Sequence, residues 1–171
     1  MTWRRLVAPI GSVAVLTLIA ALPLGIPAGD RFFLPLLPAV AIHYWTLRHD
    51  AWLPEWVVFL AGLTLDVLTN GPLGYWALIY LLVHLAATVS TRYALGGTFS
   101  RLILLGLAIL SVTVVAWAVA SLYFFEFLDW RPYATGALLA SIASLFVLLP
   151  ILRFLDNAAA RDRNVRLERG S

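Results

Sequence analysis

The chain has no cysteine and very little charge. Without cysteine there is no disulfide, no thiolate metal site and no cysteine nucleophile. Asp, Glu, Lys and Arg together make up 12% of the 171 residues, whereas a soluble domain holds about a quarter. With 62% hydrophobic residues and a mean hydropathy of +0.91, such a chain cannot cover a surface that faces water, and composition places it in the membrane class. Lysine is missing too: all twelve basic residues are arginine. No GxSxG, HExxH, Walker loop or GxGxxG motif occurs, and no serine motif of the rhomboid kind. No catalytic set and no cofactor site are therefore expected. Internal repeats and low-complexity stretches are absent as well.

What the chain does have is apolar runs long enough to read as spanning helices, at residues 6–27, 32–47, 52–70, 73–91, 102–125 and 133–155. The expectation is an all-α bundle of six transmembrane helices over residues 1–155, followed by a short cytoplasmic Arg-rich tail, 156–171. The first run follows Arg4 and Arg5 but is longer than a signal-peptide core, so it reads as a retained helix. The second holds Pro35 and Pro38 and is expected to be bent or partly irregular. With both termini in the cytoplasm, Arg4, Arg5, Arg48, Arg92, Arg101, Arg153, Arg161, Arg163, Arg166 and Arg169 lie inside and only Arg31 and Arg131 outside. That is a strong positive-inside bias. Trp3, Trp45, Trp52 and Trp56 then fall at inner helix ends and Trp76 and Trp130 at outer ones, and an aromatic belt is the plain reading of all six. The tail, its arginines interrupted by acids, suits anionic inner-leaflet lipid better than nucleic acid.

Asp66 is the only acidic residue between Trp56 and Phe125. A carboxylate near the middle of a membrane helix costs about 2.5–3.5 kcal/mol on insertion scales and marks a position with a use. At 100° per residue, Glu55, Gly62 and Asp66 fall within about 40° of one another, with Phe59 and Asn70 near the same stripe. That face is expected to point into the bundle, with Gly62 admitting a close neighbour. The turn Asn70-Gly71-Pro72-Leu73-Gly74 follows as a strong stop signal. Two readings stay open for Asp66: a water-reached carboxylate bonded to the loop backbone at Asn70-Gly71, or a structural clamp or partner contact. A proton relay would need further titratable groups along its path.

His84 lies about 17 Å along its helix from Leu73, in a row with Trp76, Tyr80 and Thr88. It is expected to hydrogen-bond a neighbouring helix without touching Asp66, and as a lone histidine it makes no metal site. Gly136, Ala140 and Ser144, spaced by four, form a small-residue face suited to close packing, either within the bundle or with a partner's helix.

Taken in order, Pro35-x-x-Pro38, Tyr44-Trp45, Leu53-Pro54, Gly62-Leu63-x-x-Asp66 and Gly71-Pro72-Leu73-Gly74 resemble the MreD family, bacterial rod-shape-determining membrane proteins. The resemblance is most specific over residues 35–82, and its strongest element pairs Gly62 and Asp66 with the Gly71–Gly74 turn. It implies a multi-pass protein of the bacterial inner membrane and a non-enzymatic part of the cell-elongation machinery. Such a protein binds the single-span partner MreC and, through it, connects MreB filaments to the synthase RodA and its penicillin-binding protein. It also implies a fold similar to the substrate-binding subunits of energy-coupling-factor transporters. Gly62, Asp66, Gly71, Pro72, Gly74 and His84 are the candidate structural or partner-contact residues. A vitamin-binding transporter subunit is the alternative. Its first helix would normally carry an Ala-x-x-x-Ala-type contact, which residues 8–18 lack, and Tyr75, Tyr80, Ser121, Glu126 and Tyr133 would have to line an outer cavity.

Overall fold

The structure, a computed structural model, describes residues 4–23, 25, 31–48, 53–91 and 98–158. Among these the chain is all-helical: α1 Arg4–Ala21, α2 Phe33–Arg48, α3 Glu55–Thr69, α4 Tyr75–Thr91, α5 Thr98–Phe124 and α6 Arg131–Ala143. The last helix continues through a π-helical turn, Ser144–Leu148, and on to residue 158. Trp3, Trp52, Arg92 and the tail from residue 159 lie outside the described residues, as do the side chains of Arg4, Arg5 and Arg101.

Two helical stretches, Leu102–Phe124 and Arg131–Ala158, are long and apolar enough to cross a membrane. The outside of the molecule matches them in character. Leu107, Leu110 and Val114 on α5 and Phe146 and Phe154 on the last helix are all more than half exposed. A soluble monomer rarely shows so continuous an apolar patch.

At the centre lies α2, packed against α1, α4, α5 and α6. Its residues from Leu34 to Trp45 are mostly buried, which explains why this run is apolar all round instead of amphipathic. The expectation of an irregular second span is not met: Phe33–Arg48 is one continuous helix. Pro35 sits in its first turn, where an N–H has no helical acceptor in any case, and Pro38 deprives only the Leu34 carbonyl of its helical donor. The first helix is shorter than its apolar run, because it stops before Pro23, which disfavours helical geometry in the residue ahead of it.

Contacts between helix ends fix the relative directions. Phe32, before α2, packs against Trp76 at the start of α4 (ring centroids 5.8 Å apart) and Tyr133 at the start of α6 (4.5 Å). At the opposite end, Arg48 closing α2 pairs with Asp156 near the end of the last helix, at 2.6 Å. The starts of α2, α4 and α6 therefore share one end of the bundle. Gly136, Ala140 and Ser144 are all buried, and a Cβ on Gly136 would stand 2.8 Å from Phe32 Cδ1 and 3.1 Å from Phe33 N. The small face thus receives this chain's own α2, and the expectation that it might hold a partner's helix is replaced by internal packing. Ser144 Oγ donates to the Ala140 carbonyl at 2.5 Å where the π turn begins, and the Leu149 N–H reaches back five residues to the Ser144 carbonyl.

The tryptophans divide. Trp56 and Trp130 are mostly exposed, as a belt requires. Trp45 and Trp76 are buried in the core, and Trp45 Nε1 donates to Ser12 Oγ on α1 at 2.9 Å. These two bind helices together instead of anchoring them at a surface, and the belt reading is corrected for them.

Candidate functional site

The α3–α4 corner gathers the residues singled out by the sequence. Gly62 faces the first turn of α4 so closely that a Cβ there would stand 2.5 Å from Ala77 N and 2.7 Å from the Trp76 carbonyl carbon. Only hydrogen fits. One turn further along α3, on the same face, Asp66 is fully buried. Its Oδ2 accepts the Gly74 N–H at 2.9 Å and the Ala77 N–H at 3.5 Å, and its Oδ1 accepts the Trp76 N–H at 2.9 Å.

These are the donors that a helix start leaves without intrahelical acceptors. The remaining one, Tyr75 N–H, goes to the Pro72 carbonyl at 3.1 Å, and the helical ladder begins with Leu78 N–H to Gly74 at 2.9 Å. Every N–H at the start of α4 is thus accounted for. A negative carboxylate also sits favourably against the positive end of the helix dipole. Asp66 therefore caps a helix it does not belong to, and this requires the close approach that Gly62 permits.

The connecting turn is shaped for the same purpose. Asn70 ends α3 in the left-handed region with φ 52°, one of the few residue types that adopt it readily. The Gly71 N–H returns to the Asp66 carbonyl oxygen at 3.0 Å. Gly74 has φ +90°, a conformation for which glycine is the natural occupant. Gly71 has no such demand; an added Cβ there would meet only ordinary contact distances. Pro72 contributes its carbonyl to Tyr75. Gly74→Ala is expected to destabilise the purified protein by about 1–2 kcal/mol, the cost of forcing an L-residue into left-handed backbone, read as a lowered melting midpoint. Gly71→Ala should shift it far less.

His84 serves the other end of the same helix pair. Its Nε2 lies 3.1 Å from the Leu53 carbonyl just ahead of α3, and because a carbonyl only accepts, Nε2 carries the proton. His84 stands eight residues, about 12 Å, beyond Trp76 along α4. Asp66 and His84 thus brace opposite ends of α3 against α4, and neither is placed to pass a proton to the other. Trp76, Tyr80 and His84 form the buried row of α4. Tyr80 Oη donates to the Pro35 carbonyl of α2 and Tyr75 Oη to the Ala116 carbonyl of α5, each at 2.8 Å. Pro35, Leu53, Gly62, Asp66, Pro72, Gly74, Tyr80 and His84 therefore lock α2, α3 and α4 together.

Two expectations are corrected. Asp66 does not direct its carboxylate at Asn70-Gly71, nor does water reach it; its acceptors serve α4. Glu55 and Phe59 do not share the buried face, since both are exposed. Asn70, at the far end of the stripe, is exposed as well, so the stripe is buried only at Gly62 and Asp66, where the first turn of α4 covers it.

The sequence reading passed over His43. It is buried in α2, and neither ring nitrogen has a hydrogen-bond partner; Thr46 Oγ1 nearby has none either. A histidine within an apolar run is as conspicuous as Asp66, and that signal was available. Among the described residues no three His, Asp or Glu side chains gather as metal ligands. Compared with known proteins, the chain matches no family model, no curated protein and no solved structure.

Proposed function

We propose that this chain is a six-span protein of the bacterial inner membrane, with both termini cytoplasmic, acting as a non-enzymatic scaffold of the cell-elongation machinery. In this reading it binds an MreC-type single-span partner and through it joins the MreB cytoskeleton to the RodA synthase pair. The observation that carries the reading is the Gly62–Asp66–Gly74 corner. Gly62, Asp66, Pro72 and Gly74, the strongest element of the MreD resemblance, lock α3 to the start of α4, and the carboxylate among them accepts from the first-turn amides of that helix. An ionisable residue in a membrane helix ordinarily marks a functional path; here its use is architectural, as suits a scaffold. The ten-to-two distribution of arginine and the apolar exterior support the membrane placement.

The vitamin-transporter alternative gains nothing from the geometry. Of the groups it would need around an outer cavity, the Tyr75 and Tyr80 hydroxyls are already bonded to α5 and α2. Depletion in a rod-shaped host is expected to give rounded cells, and the tagged protein is expected to bring down MreC. Normal shape with no such partner recovered would remove the scaffold reading.

A further inference from the structure

At the end of the bundle opposite the Asp66 corner, α2, α5 and the last helix enclose a cavity of about 170 Å³ lined by His43, Tyr44, Leu47, Arg48, Leu105 and Arg153, among others. That is more than ten times the ~10–15 Å³ that one water needs. Its walls have two characters. Leu47, Leu102, Leu105 and Leu149 are apolar, whereas Arg48, Arg153 and Tyr44 are polar. Arg48 donates to Tyr44 Oη at 2.8 Å and pairs with Asp156 at 2.6 Å. Among the described residues two guanidinium groups stand here against one carboxylate, a net positive balance.

His43 supplies the second observation. It is 3% exposed and lines this cavity, and neither Nδ1 nor Nε2 has a partner. Whatever its tautomer, an imidazole carries at least one N–H donor, and a buried donor without an acceptor costs about 1–3 kcal/mol. A second void beside it, about 10 Å³, is walled by Leu36, Ala39, Val40, Val83 and further apolar side chains. A water there would lack the two to four polar partners that hold buried water. The missing acceptor therefore belongs in the larger cavity.

We infer that this cavity binds the phosphate group of an anionic membrane amphiphile. The phosphate oxygens accept from Arg48, Arg153 and His43, and the chain lies along Leu47, Leu102, Leu105 and Leu149. Guanidinium groups suit phosphate oxygens geometrically, and a basic pocket between helices at the cytoplasmic face is a recognised way of holding anionic headgroups. The site rests on the membrane placement proposed above and not on the scaffold role.

The test titrates the full-length chain in neutral detergent with short-chain phosphatidylglycerol, phosphatidylcholine and inorganic phosphate, counting bound molecules by native mass spectrometry. One phosphatidylglycerol per chain is expected, bound at least tenfold more tightly than either of the other two. Arg153→Gln, at an exposed position, should weaken it about tenfold without altering the melting midpoint, and His43→Phe should weaken it as well. Equal binding of phosphatidylglycerol and phosphatidylcholine would overturn the anionic specificity, and equal binding of inorganic phosphate would make this a small-anion site. Unchanged affinity in Arg153→Gln would place the lipid elsewhere. Binding is read on the isolated chain, so failure here leaves the scaffold reading standing, and failure to recover MreC leaves this site standing.

Discussion

Gly62→Ala is expected to destabilise the fold more than a methyl group added at any other described glycine. The new Cβ would stand 2.5 Å from Ala77 N and 2.7 Å from the Trp76 carbonyl carbon. Those are backbone atoms, so no rotamer change relieves the clash, and α3 must move away from α4. Overpacking alone costs about 1–3 kcal/mol. The movement also stretches the bonds from Asp66 to Gly74 and Trp76, each worth about 1.5–3 kcal/mol as a bond to a charged group. A combined loss of about 4 kcal/mol is a large part of the 5–15 kcal/mol that holds a typical domain together. The expected readouts are poor accumulation in membranes and a melting midpoint lower by on the order of 10 °C. Gly136→Ala should be milder, because its new Cβ would come no closer than 3.1 Å to a backbone atom.

Asp66→Ala is the second large effect. It removes one side chain and leaves three N–H groups at a buried helix start without their acceptor. An unsatisfied buried donor costs about 1–3 kcal/mol, more in surroundings with no water. A loss of at least 3 kcal/mol is expected, seen as loss of folded protein and of any complex it forms. Asp66→Asn separates charge from geometry. Its single oxygen can accept on one side, while its amide NH₂ confronts an N–H on the other. It should fall between wild type and Asp66→Ala. If Asn were as damaging as Ala, a bond on one side alone would be worth nothing; if Ala equalled wild type, the carboxylate would be solvated and not a clamp.

How much of this was legible beforehand differs from residue to residue. Helical runs and the inward face at Gly62 and Asp66 follow from hydropathy and the helical repeat, and both recur in the structure. The small-residue face of α6 was equally plain. The acceptors' targets were not. Gly74, Trp76 and Ala77 lie 8 to 11 residues past Asp66, and the turn must first fold α4 back before they come within reach. Trp45 and Trp76 misled because tryptophan near a helix end reads as an interface anchor by default. What buries them is tertiary: Ser12 on a separate helix for one, and Phe32 ahead of α2 for the other. Periodicity placed Glu55 on the Asp66 stripe in angle, yet Glu55 is exposed while Val57 and Val58 beside it are buried.

The same distinction bears on function. Gly62, Asp66 and Gly74 of that motif are occupied with internal packing and capping, so in the scaffold reading proposed above a partner would be met by other parts of the surface. Substitutions at Gly62, Asp66 or Gly74 should therefore weaken partner binding and folding together, never binding alone.

The most direct test of the capped corner is residue-resolved amide hydrogen exchange on the protein in lipid. First-turn amides of an ordinary helix, lacking intrahelical acceptors, exchange quickly. If Asp66 holds them in a dry corner, the Trp76 and Ala77 amides will exchange as slowly as those in the middle of α4, and Asp66→Ala will release them. Fast exchange of both amides in the wild-type protein would contradict the clamp.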